Sequence, residues 1–64
     1  MFSIEWLRAG EQVERQLTGL RDSYNILEIA KLRTEAVRRR HKDREPDRFE
    51  VADGTGSLLV VCSL

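Results

Sequence analysis

The last third of this chain constrains it most: Arg48-Phe49-Glu50-Val51-Ala52-Asp53-Gly54-Thr55-Gly56-Ser57-Leu58-Leu59-Val60-Val61-Cys62-Ser63-Leu64. Polar and apolar residues alternate up to an Asp-Gly pair, and beyond the turn the residues are almost all apolar. This is the pattern of a half-buried strand and a doubly covered strand joined as a hairpin. A strand without a polar face requires cover on both sides. A chain of 64 residues lies near the lower size limit at which one core outweighs chain entropy unaided. A partner or a second copy is therefore expected to supply part of the cover, and the last strand is expected inside the sheet with the first strand as its neighbour.

The amino-terminal segment reads as another hairpin. Phe2, Ile4 and Trp6 alternate with Ser3, Glu5 and Leu7, the period of a strand with one buried face. Arg8-Ala9-Gly10-Glu11 supplies a turn in which Gly10 suits positive φ. Gln12 to Leu17 alternates more weakly; a helical turn is open there, and the preceding glycine favours the strand. After Thr18-Gly19-Leu20-Arg21, either Asp22 or Ser23 offers an N-cap. A helix is expected from Tyr24 to about Lys42, a stretch rich in Leu, Ile, Ala, Lys, Glu and Arg with no Gly or Pro. Its apolar arc holds Ile26, Ile29, Ala30, Leu32, Ala36 and Val37, and Arg33 projects into the middle of that arc. Either its methylenes cover the core edge while the guanidinium reaches water or a sheet carboxylate, or it is a cation placed for an anionic ligand. Pro46 ends the helical possibility. The expected order is ββαββ, one domain over residues 1–64 with a four-stranded, largely antiparallel sheet and one helix on one face, an α+β fold.

Composition narrows the function classes. One cysteine excludes an internal disulfide, and Cys62 lies among valines and leucines as a small buried hydrophobe; this usage suits a reducing cytoplasm. The longest apolar run, Leu58 to Cys62, is far too short to span a bilayer, and the first residues lack the basic and apolar regions of a signal peptide. A soluble cytoplasmic protein without membrane association is expected. Eleven basic and eleven acidic residues cancel, but Lys31 to Arg48 holds eight basic against four acidic side chains, an excess of four.

Four features invite a functional reading. Arg38-Arg39-Arg40-His41-Lys42 could grip phosphates, but cations at a helix C-terminus also complement the dipole, and consecutive residues splay around the axis. No aromatic residue is interleaved for base stacking. Gly54-Thr55-Gly56-Ser57 superficially suggests a phosphate loop, but a strand follows it where such a loop needs a helix. His41 has no second histidine or cysteine at ligand spacing, so neither a metal site nor a catalytic set is expected, and no cofactor. The fourth is the apolar excess of the sheet, which marks association. Leu7, Leu58, Val60 and Cys62 line the contact if their parity faces outward.

Asp47-Arg48-Phe49-Glu50-Val51, Asp53-Gly54, Leu58-Leu59 and the Arg/Ala-containing helix before them resemble very short uncharacterised bacterial proteins with one helix followed by an Arg-Phe-x-Val, Asp-x-x-Gly, Leu-rich hairpin. The likeness covers roughly the last forty residues; it implies a fold and a bacterial origin but no activity. The reading that follows is a small non-enzymatic interaction module, a homodimer or bound to another protein. The alternative is a nucleic-acid-associated regulator using Arg33, Arg38, Arg39 and Lys42.

Overall fold

Trp6 and Phe49 are cross-strand partners at the centre of the fold, both fully buried. The computed structural model describes residues 1–19 and 25–64. Strand β1 (Phe2–Arg8) turns back into β2 (Glu11–Thr18), helix α1 (Ile26–Arg40) follows, and β3 (Arg48–Ala52) and β4 (Leu58–Ser63) form the second hairpin. All strand pairings are antiparallel, in the order β2-β1-β3-β4. The expected α+β architecture and ββαββ order are therefore present. The position expected for the last strand is not: β4 is an edge strand, and the inner pair is β1 with β3.

Cross-strand partners share a face, so the registers identify both surfaces of the sheet. Ile4, Trp6, Phe49 and Val51 form the covered face, and Ile26, Ala30 and Val37 of α1 pack on it. Phe2, Leu27, Val60 and Cys62 extend this core as partly buried neighbours. At about 25 cal/mol per Å² of apolar surface, burial of side chains the size of Trp6, Phe49 and Ile4 dominates the stabilisation. The opposite face holds Ser3, Glu5 and Leu7 with their partners Ala52, Glu50 and Arg48.

The helix buries a narrower stripe than the sequence implies. Ile26, Ala30, Thr34 and Val37 are buried, whereas Leu32, expected on the arc, is 75 % exposed. A four-stranded sheet contacts only one strip of a helix, and residues at the borders of a broad arc are left outside it. The helix runs from Ile26, with Asn25 as N-cap and no side-chain cap bond, to Arg40, with His41 as C-cap; Tyr24, its expected start, lies outside the described residues. Both expected capping residues, Asp22 and Ser23, lie outside the described residues.

Two turns carry specific chemistry. Ala9 (φ 51°) and Gly10 (φ 82°) both take positive φ in a two-residue connection, the pattern of a type I′ hairpin turn, whose twist matches that of the strands it joins. In the second hairpin one oxygen of Asp53, Oδ1, accepts from Thr55 N–H, the Thr55 hydroxyl and Ser57 N–H at 2.9, 2.7 and 3.0 Å. Gly56 N–H donates to the Asp53 carbonyl at 3.1 Å, with Gly56 at φ 88°. This set of bonds makes Gly54-Thr55-Gly56-Ser57 a hairpin turn, as expected.

Candidate functional site

Part of the basic cluster at and after the helix end is taken up by acids of β2. Glu14 projects from β2 on the face shared with its partner Trp6, where it meets the end of α1. Its carboxylate accepts from Arg40 Nε at 3.1 Å and Arg40 Nη2 at 2.6 Å, and His41 Nε2 lies 3.0 Å from Oε1. Gln16 adds a donor from its side-chain amide. The Arg40 hydrogen bonds dominate and hold the Glu14 carboxyl down at about 2, against the opposing effect of its burial; the bonds from Gln16 and His41 act in the same direction as Arg40. The same contact raises the Arg40 guanidinium further. Arg44 Nη2 meets Glu11 Oε2 at 3.0 Å. Two acids of β2 thus engage Arg40, His41 and Arg44, a clasp joining the helix end to the first hairpin.

The residues of the nucleic-acid reading take no part in this clasp. Arg33 is half-buried, and its guanidinium reaches the Gln16 side-chain oxygen at 3.4 Å, an amide of the sheet rather than a carboxylate. Arg38 lies 3.9 Å from Glu35 one turn earlier, a loose exposed pair. Arg39 and Lys42 are exposed. Among the described residues no group of three or more His, Cys, Asp or Glu side chains is placed to hold a metal ion.

The apolar residues proposed for an interface separate as well. Val60 and Cys62 pair with Val51 and Phe49, so their parity faces the helix, and both are half-buried against the core. Leu7 lies on the uncovered face but is only 6 % exposed, at the corner where its carbonyl accepts Asp47 N–H at 2.8 Å. Of the four, Leu58 alone is largely exposed, at 55 %. Outward-facing parity begins instead with Val61, opposite Glu50, and Val61 and Leu59 are 53 % and 49 % exposed. A register irregularity between Val51 and Ala52 places Leu58 opposite Ala52 and leaves Leu59 as the extra residue. Alternation alone does not reveal which parity meets the helix.

These side chains lie along the β4 edge. The rest of the uncovered face is polar at its middle, where Glu5 and Glu50 are direct cross-strand partners, Arg15 is the partner of Glu5 on its other side, and Arg48 pairs with Glu50 at 3.0 Å. The two edges of the sheet also differ. Each edge strand has a register irregularity, at Val13 in β2 and at Leu59 in β4, but β2 carries Glu11, Glu14 and Arg15 whereas no residue of β4 is charged. Charges on an edge strand keep it from pairing with other chains, so the two edges differ in their capacity for association.

A shallow pocket of about 380 Å³ lies at one end of the uncovered face, lined by Met1, Phe2, Ser3, Arg15, Leu17 and the Asp53 to Gly56 turn. Asp53, the acid of that turn, is committed to the turn's own donors. No helix among the described residues is long and apolar enough to cross a membrane. No family model, curated protein or solved structure matches the chain.

Proposed function

We propose that this protein is a non-enzymatic interaction module that associates with itself through the apolar border of its sheet. One observation carries the reading: Leu58, Leu59 and Val61 are about half exposed and adjoin one another on an uncharged edge strand. Isolated exposed leucines are ordinary, but a contiguous apolar patch on so small a surface marks association. A two-fold dimer is the commonest closed form, and a second copy adds the burial that so small a core lacks. Arg40 and Arg44 are already paired with Glu14 and Glu11, which leaves Arg38, Arg39 and Lys42 as the helix-end cations of the nucleic-acid alternative, with no aromatic residue interleaved for base stacking.

Sedimentation equilibrium at low and high salt, with and without a mixed-sequence DNA duplex and a single-stranded RNA, tests this reading. The expected result is a dimer indifferent to salt and to both nucleic acids. A monomer that binds either one and releases it steeply as salt rises would replace this reading with the basic helix end as the site.

A further inference from the structure

We infer that the second copy adds to the sheet edge itself: β4 pairs with β4 of its copy, antiparallel and with Val61 at the two-fold axis, giving a continuous sheet of twice four strands. This rests on the self-association reading above and specifies its geometry. Leu64 N–H donates to the Asp47 carbonyl at 2.9 Å, and at the other end of the hairpin Asp53 N–H donates to the Ser57 carbonyl at 3.0 Å. Main-chain groups of an antiparallel strand point alternately to either side. Val60 and Cys62, partners of Val51 and Phe49, therefore direct theirs toward β3, and Val61 and Ser63 direct theirs away from the sheet.

The occupant follows from charge and symmetry. A two-fold axis through an antiparallel strand pair places the residue on the axis opposite its own copy, so a charge on the axis meets its like. β2 carries Glu14 and Arg15 at its middle, and its Glu14 and Glu11 are already tied to Arg40 and Arg44; β4 carries no charge. The irregularity at Leu59 confines regular pairing to Val60–Ser63, and within that segment Val61 is the residue with outward main-chain groups nearest the strand's middle. An axis there joins Val61 to its copy by two main-chain hydrogen bonds and brings Leu59 beside Ser63 of the copy. It also sets Val60 against Cys62 of the copy on the helix-side face, and the two Val61 side chains meet on the uncovered face.

The test is nuclear Overhauser spectroscopy on a dimer mixed from isotope-labelled and unlabelled chains, with Val61→Pro as the variant. The pairing predicts an intermolecular Hα contact between Val60 and Cys62, the non-hydrogen-bonded pair beside the axis, and protection of Val61 N–H from exchange. Proline at 61 removes an amide that β3 does not use, so the native Trp6 fluorescence is retained while the dissociation constant rises more than about tenfold. A dimer with no such Hα contact and an unprotected Val61 amide would overturn edge pairing and leave self-association standing. A chain still monomeric at about 1 mM, where even weak specific contacts are populated, would overturn both. If Val61→Pro does not fold, the mixed-label contact in the unmodified chain decides alone.

Discussion

The indole Nε1–H of Trp6 donates to Thr34 Oγ1 at 2.9 Å, and the Thr34 hydroxyl in turn donates to the Ala30 carbonyl at 2.7 Å. Both side chains are buried, so this relay satisfies the one polar group that the largest core residue brings into the interior. Thr34→Val keeps the shape and removes the acceptor. It is expected to destabilise the protein by about 1–3 kcal/mol, the range for stranding a buried donor, as measured by urea unfolding. In a double-mutant cycle with Trp6→Phe the two changes are expected to couple by at least about 0.5 kcal/mol; additivity would remove the hydrogen bond from the explanation.

Glu14 makes stability depend on acid. Its carboxyl is held at about 2 in the folded state against an ordinary 4.5, so between those values the unfolded chain binds more protons. The contribution is complete above about 4.5 and is lost as pH falls toward 2. Solvent at the half-exposed Arg40 screens the pair, which brings the expected cost of Glu14→Gln at neutral pH to about 1 kcal/mol. Urea midpoints measured from pH 7 to pH 2 should converge for the parent and the variant at the acid end. A constant gap would sink this assignment.

Ala9 holds a left-handed conformation that a Cβ disfavours. Ala9→Asn places a residue tolerant of that region before Gly10, giving the favoured Asn-Gly pair. A gain of about 0.5 kcal/mol is expected. Thermal unfolding of the two proteins side by side reads it directly, and a lower Tm for the variant would count against the turn assignment.

Asp53 organises the other turn through three donors to one oxygen. The Thr55 hydroxyl, first among these, draws the carboxyl below the usual carboxylate range, so this contribution too is lost on acidification rather than gained. Asp53→Ala is expected to speed amide exchange in β3 and β4 while leaving the β1 and β2 amides nearly unchanged. Equal acceleration in both hairpins would argue against a local role.

The elements themselves were readable from periodicity and turn chemistry, because strand alternation, the Ala-Gly and Asp-Gly turns and the Gly-free helical stretch are all local signals. Position in the sheet was not. An apolar strand such as β4 looks the same whether it lies inside a sheet or at an edge with one parity on the core and the other exposed, and only the pairing of β1 with β3 decides between these. Thr34 escaped the apolar pattern because its value to the core is a hydrogen bond to a residue 28 positions away. The Glu14 clasp left no trace in the alternation, because Val13 and Leu17 mark the opposite parity of β2 as apolar, and only the register with Trp6 turns Glu14 inward, where it has to find a cation. The helix-end arginines were the nearest supply, which is why their number suggested more free positive surface than the fold leaves.

The inner pair of strands has a kinetic consequence. Each hairpin closes by contacts local in sequence, but β1 and β3 belong to different hairpins and register together only when the two ends of the chain meet. Loop closure on that scale is the slow part of folding in small domains. The hairpins are therefore expected to flicker into place early, and their docking sets the rate. Trp6, on β1 and directly opposite Phe49, lies in the seam that closes last, so its fluorescence in a stopped-flow experiment would time the joining of the two halves rather than the birth of either.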